Sequence, residues 1–456
     1  MILVPLLLLF AQAQAQGADF TADFTAKDRR AQDDIAAGRF QEAVALYSEL
    51  AAAVPRDPRP LVGLGMAQMG ANHPDLAIQP FRKALALDSG RFDVRMLLAQ
   101  ALSAVGRHDQ AAEEYRRVTE AQPLNAKAWY TLGRTWVLAA GDAYSQLVEK
   151  TKPDSAYALA VDGDGLMRRL QYPRAVTAFR QALSKEPSLP SVHTALAAID
   201  RKLGCEECAA KEEAAVAALD CSAHKLECDW VKGRYQEMAA GTASRQTPAA
   251  LYWRGQAFSA LASQAFGKLE RLAPSPELHR YRAGLHWEAD RRMQMVEELR
   301  EALKLAPDDR DVHRDLATAL GAAGFYDEAY KIARELLRAE PRSAELNAIA
   351  GNALLSLQRA GDAVPFLEKS AAADRHNLYV QWSLGRALMQ AGEVQLALVW
   401  LKAAAPIDTD GTLHHLLSQA YRQTGQPALA SQALAKSQEL AAKSEVQPSQ
   451  SDSKPK

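Results

Sequence analysis

FDVRMLLAQALSAVGRHDQAAEEYRRVTEAQPLN, residues 92–125, carries the architecture of the whole chain in miniature. Leu98, Ala99 and Leu102 fall on one face at helical spacing, and Ala111, Tyr115 and Val118 do the same further on. Between them Gly106 supplies the left-handed residue that ends a first helix, and Pro123 breaks the second. The stretch reads as two short helices joined by a tight turn. Its small residues sit where the helices cross, and its large ones fill the groove around the crossing.

The same series returns along the chain. AWYTLGRTW, residues 128–136, places Trp129, Leu132, Gly133 and Trp136 at the first-helix positions. Leu316, Ala317, Leu320, Gly324 and Tyr326 repeat it, as do Leu384, Gly385, Leu388, Gly392 and Leu401. The spacing and the small, apolar and turn residues resemble the tetratricopeptide repeat (TPR), a helical hairpin of about 34 residues. Copies phase from residues 24, 58, 92, 126, 156, 190, 276, 310, 344, 378 and about 411. One hairpin cannot bury its apolar face alone, so the resemblance implies stacking. The expected fold is all-α, a right-handed superhelical solenoid of about eleven to twelve TPR-like hairpins in two arrays.

Two copies break the phase. Residues 126–155 lack the turn glycine, and a second shortened copy begins near residue 250. They align at an offset of 122, pairing Tyr130 with Tyr252, Gly133 with Gly255, Trp136 with Phe258 and Tyr144 with Phe266. The expectation is an N-terminal array over 16–220, a cysteine-bearing joint with a clipped hairpin over 221–247, and a C-terminal array over 248–444. The polar, proline-bearing tail 445–456 reads as disordered.

Composition agrees with helices: alanine is abundant and aromatics make up only 7%. Lys plus Arg number 54 against 55 Asp plus Glu, a net charge of -1, which argues against nucleic acid as a partner. MILVPLLLLFAQAQAQG, residues 1–17, has an apolar core too short to span a bilayer and an Ala13-Gln14-Ala15 cleavage site. It reads as a signal peptide over 1–15, with an uncleaved anchor as the alternative, and makes the protein exported, periplasmic or extracellular. No later stretch is long and apolar enough to be a transmembrane segment.

All four cysteines lie in residues 204–228. Ala209 follows Cys208 where haem attachment requires histidine. An alanine-rich helix separates Cys208 from Cys221 by roughly 20 Å, too far for one zinc ion. The local disulfides, Cys221 with Cys228 and Cys205 with Cys208, are the pairing that avoids spanning that helix. For Cys205 and Cys208, unpaired thiols stay open as an alternative. His193, His279, His313 and His415 recur near position four of first helices, one repeat apart, and read as packing residues. Asp162 to Gly165 lacks a calcium-loop ligand series. No metal, cofactor or catalytic residues are expected, and the chain reads as a non-enzyme.

In TPR proteins the first helices line a groove with positions two, five, nine and twelve. The resemblance therefore implies partner-binding roles for Tyr130, Arg134, Arg280, Arg314, Asn352, Tyr379, Trp382, Arg386, Met389 and His415; Tyr157 and Trp287 occupy the same positions, with packing between repeats as the alternative. The family's carboxylate clamp is missing, with Val62, Met66, Met96 and Gln100 at its positions. The implied partner is a protein or peptide, so the chain is an interaction scaffold. A glycan or exported chain bound transiently, or an accessory role to an envelope enzyme, is the alternative.

Overall fold

The computed structural model describes residues 23–446. The signal peptide expected over 1–15 and most of the expected tail lie outside the described residues. Among them every regular element is helical. Three hairpins come first: α1 (23–36) with α2 (Phe40–Ala53), α3 (Pro58–Gly70) with α4 (Pro74–Leu87), and α5 (Phe92–Ala104) with α6 (His108–Ala121). A single long helix follows, α7 (Ala126–Lys150). Three more hairpins are α8 (Ala156–Arg168) with α9 (Tyr172–Lys185), α10 (Pro190–Lys202) with α11 (Glu206–Ala217), and α12 (Lys225–Val231) with α13 (Tyr235–Thr242). A second long helix is α14 (Pro248–Leu269). Five hairpins then run from α15 (Pro276–Glu288) and α16 (Arg292–Leu305) through α17 (Arg310–Ala322), α18 (Tyr326–Leu336), α19 (Ala344–Ser356), α20 (Ala360–Ala373), α21 (Leu378–Gln390), α22 (Val394–Ala404) and α23 (Thr412–Gln423) to α24 (Pro427–Val446). The fold is an α solenoid of TPR hairpins. The last helix reaches Val446, two residues into the segment expected to be disordered.

The hairpins form for the reasons the sequence suggests. First helices begin behind side-chain caps, as at Asp57, Asn125, Ser155, Ser343 and Asn377, each accepting from an amide of the first turn. At the turn, position fifteen is left-handed at Gly106, Gly324 and Gly392. Asn72, Leu170, Asp290 and Gln358 adopt the same conformation at that position, so packing imposes it where no glycine is present. Position eight is small because a ring or leucine of the second helix fills the space. Methyl groups on Gly351 and Gly385 would lie 2.6 Å from Leu367 and Leu401, sixteen residues on.

In several copies position four ties the first helix to the repeat before. Trp129, His193, Asn347 and Gln381 each hydrogen-bond the carbonyl six residues back, on Pro123, Pro187, Pro341 and Arg375, at 2.8, 3.0, 3.2 and 2.7 Å. The other ring nitrogen of His193 meets Glu212 at 2.6 Å, and Nδ1 of His279 meets Glu298 at 2.7 Å. Histidine at this position is thus a hydrogen-bonding staple.

The two shortened copies turn out to be partners. Neither α7 nor α14 has a turn, and they pack antiparallel on each other. Gly133 of α7 receives the Phe266 ring, which a methyl there would approach to 2.6 Å, and Gly255 of α14 receives the Tyr144 ring still more closely. Trp136 stacks on Phe258 between these contacts, with centroids 5.1 Å apart. Each ring follows its own helix's glycine by eleven residues, against sixteen in an ordinary hairpin. Removing the turn has fused the two helices of each copy, and the copies exchange their second halves.

This exchange moves a boundary. The chain divides into compact units at Ala273 and Pro274, not at residues 247 and 248, because α14 belongs with α7. The segment 221–247, expected as a joint between arrays, lies inside the first unit, where α12 and α13 pack on α14. The disulfides Cys205 to Cys208 and Cys221 to Cys228, with Cα separations of 5.3 and 5.6 Å, sit at the two ends of α11. With these four sulfurs paired, no metal-binding cluster occurs among the described residues.

The first helices that lie between α7 and α14 in the chain close against α14. Tyr157 of α8 packs on Tyr252 of α14 with ring centroids 5.1 Å apart, and Ser191 of α10 hydrogen-bonds the Tyr252 hydroxyl at 2.7 Å. Trp253 donates to Glu227 of α12 at 3.1 Å. Tyr252 and Trp253 are fully buried, and Tyr157 packs against this core, the second of the two readings its position allowed.

Asp164 lies in this interior and accepts from the Gln256 amide at 2.9 Å. Burial pushes its carboxyl up to about 6. The folded chain therefore holds a proton that the unfolded chain releases near pH 4, and this group's contribution to stability falls as pH rises from about 4 to about 6. Asp164→Asn keeps an acceptor for Gln256. It is expected to change stability little at pH 4 and to raise it by about 2 kcal/mol at pH 8, read from urea unfolding at both pH values.

Candidate functional site

The candidate partner-binding residues divide between the units. In the first, Tyr130 is buried on α7 and Arg134 lies exposed over its ring, 5.7 Å from the centroid. The rest belong to the second unit, on the face formed by α15, α17, α19, α21 and α23. Position five of these helices reads Arg280, Arg314, Ala348, Trp382 and, with the last copy phased from 411, His415.

The two arginines are committed within the protein. Arg280 pairs with Asp315 of the next first helix at 2.7 Å. Arg314 reaches Asp311 at 3.0 Å, Glu340 at 2.9 Å and Glu345 of α19 at 3.4 Å. Both staple successive repeats. A position-five arginine with carboxylates early in the following repeat was the sequence signal for this role.

The repeat that begins with α21 is arranged differently. The Arg386 guanidinium lies 5.1 Å from the centre of the Trp382 ring, and no carboxylate pairs with it among the described residues. The Trp382 indole nitrogen is buried without a hydrogen-bond partner. Tyr379, one turn earlier, is 68% exposed. Met389 packs against the core of this unit, and His415 is exposed with its ring nitrogen 3.0 Å from Gln419. Trp287 is exposed near the end of α15.

Between α17 and α19 the face opens into a crevice of about 480 Å³. It exists because Thr318, Gly321 and Ala348 supply little bulk, and at position five Ala348 stands between Arg314 and Trp382 of the neighbouring repeats. Asn352 lines it, and Glu345 and Asp374 are its charged lining groups. The first unit has a cleft of about 400 Å³ over the exchanged pair, with Arg116, Arg254, Asp109, Glu113 and Asp142 around Trp136 and Phe258.

Tetratricopeptide-repeat models match residues 69–134 and 354–420, 29–92 and 314–377, and 412–444. Together these matches span more than half of the sequence. The chain belongs to the tetratricopeptide-repeat family. The matches to this TPR protein stop at residue 134 and resume at 314, so they leave out most of the exchanged helices and everything between them. No curated protein matches it. Among solved structures, MamA MSR-1 is 25% identical, covers 37% of this chain and 98% of its own, and superposes with a TM-score of 0.33. MamA from Desulfovibrio magneticus RS-1 is 19% identical, with coverages of 40% and 99% and a TM-score of 0.34. YrrB, described as a TPR protein with an unusual peptide-binding site, is 18% identical, with coverages of 36% and 84% and a TM-score of 0.31. Among the described residues no helix is long and apolar enough to cross a membrane.

Proposed function

We propose that this TPR protein is an exported scaffold that holds a protein or peptide partner on the first-helix face of its second unit, anchored by Tyr379, Trp382 and Arg386. The observation that carries this reading is the contrast along one face. Arg280 and Arg314 spend their charge on neighbouring repeats, whereas Arg386 has only the Trp382 ring beneath it. An aromatic plane with a cation over it offers area and charge together, the combination enriched at binding hot spots. Two disulfides and the apolar leader read at residues 1–15 support export into an oxidising compartment.

Affinity capture with the chain from residue 16, followed by mass spectrometry, identifies the partner. Trp382→Ala is expected to weaken that partner's binding roughly 30-fold, the effect of losing about 2 kcal/mol at a hot spot, with the helical circular dichroism signal unchanged. Equal capture by the wild-type and Trp382→Ala chains would remove α21 from the interface.

A further inference from the structure

The crevice between α17 and α19 is a pocket of defined chemistry beside the anchor, and the geometry points to a basic side chain, lysine or arginine, of the bound segment as its occupant. This rests on the reading of α21 as the anchor. Four observations lead there. First, the crevice is an interruption in a series: position five is large in α15, α17 and α21 and is alanine in α19. Its volume of about 480 Å³ lies directly on the face that carries Trp382. Second, Thr318, Gly321, Ala344 and Ala348 leave room for an unbranched chain between the helices, and Tyr326 and Ile349 supply larger apolar wall. Third, its charged lining groups are two carboxylates, Glu345 and Asp374, and the Asn352 amide supplies a further acceptor. Fourth, the one cation that approaches Glu345, Arg314, is shared with Asp311 and Glu340, so three carboxylates face a single guanidinium. A lysine or arginine stem suits the apolar walls and its head suits the unneutralised carboxylates.

The neighbouring anchor has the opposite sign, because Arg386 is an unpaired cation on an aromatic plane. Successive first helices stand about 10 Å apart, which an extended chain crosses in about three residues. The partner segment therefore carries a basic residue and, about three residues away, an acidic one.

Random twelve-residue peptides displayed on phage are panned on the full chain and on the variants E345Q/D374N, A348R and R386Q, each first checked for native helicity. On the wild-type chain the selected peptides are expected to be enriched about fivefold in Lys or Arg at one position, with Asp or Glu about three residues away. E345Q/D374N loses the basic preference and keeps the acidic one, and R386Q does the reverse. A348R fills the crevice with the residue that α17 already carries at this position and also abolishes the basic preference. If peptides depend on Arg386 but show no Lys or Arg enrichment, or keep it on E345Q/D374N, the crevice assignment is overturned and the anchor stands. If no peptide is selected, or all variants select alike, the anchor reading falls with it.

Discussion

Gly255→Ala is expected to destabilise the first unit by about 2–3 kcal/mol, although the same change at an exposed helix position stabilises by roughly 0.5–1 kcal/mol. The sign reverses because the added methyl would run into the Tyr144 ring of α7. Gly133→Ala should behave alike against Phe266. Gly141, on the same helix as Gly133, has nothing within 4 Å of an added methyl, so Gly141→Ala is the control that should stabilise. Urea unfolding of the single variants and of Gly255→Ala combined with Tyr144→Ala or with Phe266→Ala reads the exchange directly. The Tyr144 double variant should lose less than the sum of its singles, since the ring that clashes is gone; the Phe266 pair should be additive. Additivity in both would mean that the long helices do not exchange their second halves.

Removing the bond between Cys221 and Cys228 has the next largest expected effect. It closes a loop of eight residues, for which chain entropy gives about 2.5 kcal/mol. Cys221→Ala/Cys228→Ala should therefore lower unfolding stability by about that amount. It should also shift tryptophan emission, because the bond leads directly into α12, whose Glu227 holds the Trp253 indole and whose Trp230 ring lies 6.4 Å from that of Trp253. An unchanged emission spectrum would mean that α12 holds its place without the bond. The same treatment of Cys205 and Cys208 should cost less in chain entropy, since the loop is shorter, although it also removes the Cys205 sulfur that caps α11 by accepting from the Cys208 amide at 3.3 Å.

What was legible in the sequence was local. Each hairpin is written within about 34 residues by the small position eight, the turn and the closing proline, and helix start signals such as Asn125 and Ser343 lie within four residues of the amides they cap. Pairing of Cys221 with Cys228 was readable for the same reason, because the helix between the pairs forbids bonds across it, whereas the spacing alone left Cys205 and Cys208 between a bond and free thiols. The offset of 122 was also visible, and it suggested two arrays lying end to end. It records two halves of one contact instead, since Gly133 meets Phe266 and Gly255 meets Tyr144.

The candidate site divided along the same line. Residue type and repeat position placed aromatics and arginines on the first helices, but their availability depended on partners in other repeats. Asp315 takes Arg280, Glu340 and Glu345 take Arg314, and the closing of α8, α10 and α12 against α14 takes Tyr157, while Trp382 and Arg386 keep an unused N–H and an unpaired charge. By itself the sequence determined the repeat, its helices and its turns, because those depend on steric fit between residues close in the chain. Only the tertiary structure decided which repeats pair, where the units divide and which groove residues remain free, because each of those outcomes depends on contacts between residues dozens of positions apart, which a periodic pattern does not encode.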